Sequence, residues 1–397
     1  MTSLPVRRML LPVALLACLA LAGPAAACPF CGMSGPTLTQ EAKQANMVLY
    51  GYMSNGKPGN PDADLAGGTT DFVIEKQIKP HPFVAGKTKI SLPRYIPTRG
   101  GKVPYLVFCD VFKGKIDPYR GVPLKGSDLP AYLDGALKVK DKKLADRLRY
   151  FFDYLNNDDL EVANDALKEF GNVGYDDYKD LAKTLPGDKV AKWLRDPKTP
   201  GYRFGLYASI LGHCSKNKAE DAKLLRSFVD DPEKRVSSGV DGILAGYVML
   251  QPKEGWAYVR GILQNPKSEF LLRYAAIRAV RFFAQYREDL VSRKECIEAV
   301  KLLLAQPGSA DIAIEDLRKW EQWDLTDRIL GLLKKDEYDL PIIQRAVLRF
   351  MISSPKKAAK AYVEKIRKED EEAVTDAEEL LKIEQQRDAA SPPAPSK

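Results

Sequence analysis

The spacing of apolar residues changes near residue 140. Upstream, short runs rich in β-branched and aromatic residues alternate with turn clusters. The runs are "NMVLYGYMSN" (46–55), "TDFVIEKQIK" (70–79), "TKISLPRYI" (88–96) and "PYLVFCDVF" (104–112). Between them lie Gly-, Pro- and Asn-rich stretches such as "SNGKPGNPDADLAGG" and "FKGKIDPYRG", which read as turns. In the second run Phe72, Ile74 and Ile78 fall on one face, with Asp71, Glu75 and Gln77 on the other. That alternation predicts a sheet with one wet side. Four or five such strands within residues 28–135 make a small barrel or sandwich.

Downstream the period becomes helical. In "LRYAAIRAVRFFAQYREDL" (272–290), Leu272, Ala275, Ala276, Ala279, Phe282, Phe283 and Tyr286 share one side at spacings of three and four. "CIEAVKLLLAQP" follows as a second amphipathic helix, stopped by Pro307. This two-helix unit recurs loosely, with first helices opening near residues 160, 203, 239, 271, 311 and 341. The period of roughly 30–43 residues is that of helical-pair repeats. Asp231-Pro232 and Asn265-Pro266 punctuate the units as helix stops. Each pair carries an apolar stripe it cannot bury alone, so neighbours are expected to stack into a solenoid over residues 145–368. Residues 369–397 are polar and predict an exposed helix running into a disordered Ala/Pro/Ser tail.

The first 27 residues have a different character. Arg7 and Arg8 precede an uncharged apolar run, and Ala25 and Ala27 supply the small residues that a signal peptidase reads. The run is too short to span a bilayer. Residues 1–27 are therefore expected to be an export signal, which places the mature chain, starting at Cys28, outside the cytosol or in the cell envelope.

Composition narrows the function. A net charge of +8 over 397 residues is mild, and no nucleic-acid partner is expected from it. Two histidines, His81 and His213, leave the commonest general base scarce. Neither a Gly-x-Ser-x-Gly elbow, a phosphate loop nor a His-Glu-x-x-His helix is present. His213 beside Cys214 reads as an inter-helix packing pair. No metal or cofactor is expected, because Cys109, Cys214 and Cys296 stand apart while structural zinc takes four ligands in close pairs.

The candidate chemistry lies in "CPFCGMSG", Cys28 to Gly35. A Cys-x-x-Cys dithiol exchanges disulfides when it follows a buried strand and opens a helix. Here the preceding segment is the leader and the following one is broken by Gly and Pro. Losing Cys18 with the leader leaves an odd number of cysteines. One resolution is a lipid on Cys28, with Cys31 bridged to Cys109. The other is ordinary cleavage, with Cys28 or Cys31 bridged to Cys109. In both, the pair staples the N-terminus of the β region. A second candidate is a basic face with interleaved tyrosines, made by Lys76, Lys79, Lys87, Lys89, Arg94, Arg99, Lys113, Lys115 and Arg120. Such a face suits an anionic polymer such as polysaccharide or envelope.

Two resemblances refine these expectations. The Ala-rich first helices "YAAIRAVRFF" and "IIQRAVLRFM", with shorter second helices ending at Pro or Asp, resemble HEAT-type repeats. That resemblance implies an α-solenoid serving as a binding or scaffold surface. The Cys pair opening the mature chain, the early strand "MVLYG", the longer "FVIEKQIK" and the late "YLVFC" are similar to a netrin-like domain. This is the OB-type fold of tissue inhibitors of metalloproteinases. It implies that Cys28 could chelate a protease zinc through its α-amine and carbonyl, supported by a Cys31–Cys109 bridge.

The expected fold is thus multidomain, with a small all-β OB/netrin-like domain followed by an all-α superhelical HEAT-like solenoid. The expected function is an exported, non-enzymatic binding scaffold for unidentified protein partners or the envelope. Membrane contact is expected only through a lipid on Cys28. The alternative is a thiol redox protein or zinc-ligating protease inhibitor acting through Cys28 and Cys31.

Overall fold

The structure, a computed structural model, describes residues 28–59, 67–98, 102–124, 128–235 and 239–390. The expected leader, Arg99 and the end of the expected tail lie outside these residues. The chain divides into two compact units, one spanning Cys28–Gly246 and the other beginning at Tyr247.

The first unit opens with a short helix α1 (Leu38–Gln44), capped by Thr37 in a reciprocal box with Gln40. Five strands follow: β1 (Met47–Pro58), β2 (Gly68–Lys79), β3 (Lys89–Leu92), β4 (Pro104–Phe112) and β5 (Lys115–Pro123). They form one antiparallel sheet in the order β3-β2-β1-β4-β5. Four of them match the expected runs. The fifth lies in a stretch that Pro118 and Gly121 make look like a turn. The actual turn is only Lys113-Gly114, both at positive φ (49° and 72°), the two-residue hairpin that suits the strand twist. All five strands feed one interior, in which Met47, Leu49 and Met53 of β1 meet Phe72, Ile90, Leu92, Val107, Cys109 and Ile116.

The sheet does not have the expected wet side at its centre. Leu106, Val107, Phe108 and Cys109 are consecutive and all buried, so β4 is covered on both faces. Val107 and Cys109 face the interior. Around the sheet, Arg120 of β5 pairs with Glu41 of α1, and Lys79 of β2 donates to the α1 carbonyls of Ala42 and Lys43, each at 2.9 Å. Lys76 pairs at 3.3 Å with Asp134 of the next helix, α2 (Leu129–Val139).

The unit continues with α3 (Leu144–Phe152), α4 (Leu160–Gly171), α5 (Tyr175–Ala182), α6 (Gly187–Arg195), α7 (Phe204–Cys214) and α8 (Lys218–Asp230). The division between units falls inside α9 (Val240–Leu250).

The second unit holds α10 (Pro252–Gln264), α11 (Phe270–Tyr286), α12 (Arg293–Lys301), α13 (Pro307–Lys319), α14 (Thr326–Leu332), α15 (Pro341–Ser353), α16 (Lys357–Glu369) and α17 (Glu371–Ala390). Asp231 and Asn265 cap the ends of α8 and α10, as the Asp-Pro and Asn-Pro steps predict. Pro307 follows the stop of the preceding turn and itself opens α13, where its missing N–H costs nothing. Side-chain pairs cross from helix to helix. Arg281 of α11 donates to both oxygens of Asp316 on α13 at 2.9 Å, and Arg349 of α15 reaches Glu315 of α13 at 2.6 Å. The last helix is docked rather than freely solvated. Val374, Ala377 and Leu381 are buried along one stripe, and Glu384 takes Arg318 and Lys319 of α13.

Candidate functional site

The N-terminal segment is not part of the sheet. Residues 28–37 form a strap across α4 and α7, and glycines seat it. A Cβ on Gly171, at the end of α4, would lie 1.9 Å from the Met33 carbonyl oxygen. One on Gly205 of α7 would lie 2.6 Å from that of Phe30. Only glycine permits either approach. The Cys28 amide donates to the Gly171 carbonyl at 3.2 Å. Asn172 holds Gly35 from both sides, accepting from its N–H at 3.0 Å and donating to its C=O at 2.9 Å.

Beneath the strap, Asp165 of α4 accepts the Leu38 amide at 2.7 Å and the Tyr132 hydroxyl at 2.8 Å. Burial outweighs both donors and pushes this carboxyl up to about 6. Burial likewise raises Glu169, one turn further along α4.

Cys28 and Cys31 are bridged to each other. Cys28 and Phe30 are buried, at 6% and 3% exposure, and Cys31 is half-buried. The expected bridge to Cys109 is therefore replaced. Cys109 is a free thiol inside the sheet, while the pair lies on α4 and α7. Burial pushes the Cys109 thiol up to about 12, Cys296 to about 12 and Cys214 to about 11, which keeps all three protonated and inert. The Cys214 thiol donates to the Ile210 carbonyl, and His213 meets the Tyr175 hydroxyl at 2.8 Å, as an inter-helix pair. The Cys28 carbonyl, one of the two groups implied for zinc chelation, accepts the Cys31 amide. The Cys28 sulfur, bonded to Cys31, has no valence left for a thioether lipid.

The basic residues do not gather into one free face. Lys79 and Arg120 are tied to α1, Lys76 to Asp134, and Lys89 to Asp71 at 3.0 Å. Lys87 sits over the Phe83 ring and Lys113 over Phe112. Lys87, Arg94, Lys113 and Lys115 are exposed, in the segments flanking β3 and at the β4–β5 turn. Among the described residues no cluster of His, Cys, Asp and Glu is placed to hold a metal. Nor is any helix there long and apolar enough to cross a membrane.

Two features escaped the sequence reading. One is a buried guanidinium, Arg203, at the entry to α7. The other is a groove of about 820 Å³ between α15, α16 and α17. Leu348, Tyr362, Ile366 and Leu380 line it, and Leu380 is 53% exposed. Its charged rim carries Asp339, Glu369, Asp370, Glu372 and Asp376 against Arg345 and Arg349, the latter already taken by Glu315. The only available signal was the second apolar stripe of α17, Leu380 and Ile383, masked by the acidic residues around it. The chain matches no family model, no curated protein and no solved structure.

Proposed function

We propose that the chain is an exported binding scaffold whose second unit receives a basic, amphipathic helical segment of a partner protein. The observation that carries this reading is the groove between α15, α16 and α17, apolar at its floor and acidic at its rim. An apolar helix face fits such a floor, and lysines or arginines on its flanks meet the carboxylates. The helical region is read as a HEAT-like solenoid, supported by the paired helices and by the Arg281–Asp316 and Arg349–Glu315 links between successive first helices. The sheet is read as an OB-type barrel. Its edge strands β3 and β5 are four antiparallel steps apart and so run in the same direction, and both supply the shared interior.

Fluorescence anisotropy with a labelled Leu/Lys amphipathic peptide, and with its Leu/Glu counterpart, tests the groove. The basic peptide should bind the mature chain, more weakly in high salt and at least tenfold more weakly to Leu380→Asp. Equal binding of both peptides, or binding indifferent to Leu380→Asp, overturns the reading.

A second reading, thiol–disulfide exchange, is favoured by the Cys28–Cys31 bridge with Cys31 half-buried rather than enclosed. A structural bridge has a potential below about −300 mV, and an exchanging one lies well above it. Equilibration with glutathione separates the two.

A further inference from the structure

We propose that Arg203 forms the floor of a binding site for a small oxyanion, a carboxylate or phosphate group. Arg203 is 2% exposed, yet its bonds are poor. One terminal nitrogen reaches Asn164 Oδ1 and the Tyr202 hydroxyl, each at 3.5 Å. The guanidinium also meets the Tyr207 hydroxyl and the Tyr202 ring, and its Nε has no partner. Among the described residues no carboxylate pairs with it. Arg273, also buried, shares the unpartnered Nε, but its terminal nitrogens are well bonded. It donates to Ser309 Oγ at 2.9 Å and to the carbonyls of Pro266 and Ser268 at 3.1 and 2.8 Å.

A buried cation without a counter-charge is among the most costly arrangements a fold can hold. A site that binds an anion removes that cost in the bound state. The surroundings suit one. Asn164 Oδ1 is occupied by the Tyr202 hydroxyl at 2.7 Å, which leaves the carboxamide N–H groups to donate. A single 3-10 turn, Gly201–Arg203, leads directly into α7, whose first turn carries no acidic residue to compete for the guanidinium. Asn164 and Tyr202 are half-exposed and form the rim. The guanidinium fork matches two oxygens of one carboxylate or phosphate, which selects an oxyanion over a halide. The disulfide turn adjoins this rim, where a Cβ on Gly32 would lie 3.0 Å from the Tyr202 carbonyl oxygen.

The test is thermal unfolding of the mature chain in chloride, phosphate and acetate at matched ionic strength, compared with Arg203→Met. The parent should gain roughly 2–4 °C in the oxyanion over chloride, with ligand several-fold above Kd. Arg203→Met should lose that gain and be at least as stable as the parent in chloride, since it removes an uncompensated charge. A gain in phosphate alone assigns a phosphoryl group, and a gain in acetate assigns a carboxylate. Equal gains in parent and variant are a general salt effect and overturn the proposal. If Arg203→Met does not fold, calorimetric titration of phosphate and acetate into the parent and Asn164→Ala decides. Saturable heat weakened at least several-fold by Asn164→Ala supports the site, and its absence overturns it.

Discussion

Replacing Asp165 by Asn tests the carboxyl beneath the strap. Its oxygens accept two good hydrogen bonds, from Leu38 and Tyr132, but it is only 3% exposed. Burial raises it from 3.8 to about 6. A folded-state pKa above the unfolded one means that the native chain holds the proton more tightly. The stabilisation is then complete below the unfolded value and is lost as pH rises through the folded one. A displacement of about two units corresponds to at most about 3 kcal/mol at neutral pH. Asn retains an oxygen for the Leu38 amide, and its N–H can donate to the Tyr132 hydroxyl oxygen, without a charge to desolvate. Asp165→Asn should therefore be more stable than the parent by about 1–3 kcal/mol at pH 7.5, with the difference closing toward pH 4. Urea unfolding of both proteins at pH 4, 5.5 and 7.5 measures this. Subtraction removes Glu169 and Asp316, which burial shifts the same way. A difference independent of pH, or a variant that loses ground as pH rises, would refute the claim that desolvation dominates here.

Three further outcomes are expected. Gly171→Val should lower stability by about 1–3 kcal/mol through overpacking against Met33 and hasten reduction of the Cys28–Cys31 bridge, followed by denaturant titration and timed alkylation. Native chain treated with iodoacetamide at pH 8 should leave Cys109, Cys214 and Cys296 unlabelled, and a non-reducing peptide map should show Cys28 linked to Cys31; a Cys31–Cys109 peptide would contradict the strap's position. Arg281→Ala strips both of Arg281's hydrogen bonds from the buried Asp316 carboxylate and should cost about 1–3 kcal/mol, read from the urea midpoint.

Much of the secondary structure was legible because the strands carry β-branched runs and the helices carry apolar residues at helical spacing. β5 was not, since Asp117, Pro118 and Gly121 mimic a loop and only Lys113-Gly114 turns. The four-residue apolar run of β4 announced burial on both faces, but the alternation in β2 pointed the other way. The fate of the cysteines could not be read locally. It depends on Gly171, Asn172 and Gly205, far along the chain, which draw the strap onto helices and away from Cys109. The partners of the basic residues were hidden for a similar reason. Glu41 and Asp134, which pair with Arg120 and Lys76, belong to helices outside the strand pattern, and short-range sequence cannot show which charges are paired.

The strap has a consequence for the order of assembly. Its bonds from Gly35 to Asn172 close a separation of 137 residues, and that from Leu38 to Asp165 one of 127. Helix α1 and the whole sheet lie inside that loop, so a segment made early in synthesis is among the last to settle. Until α4 and α7 are available, Phe30 has no burial site and the Leu38 amide no acceptor. A fragment ending near residue 135 would present both to water or to a chaperone. The first unit therefore completes as one object, with its beginning fastened by its later half, and a chain halted partway carries an open, apolar N-terminal end.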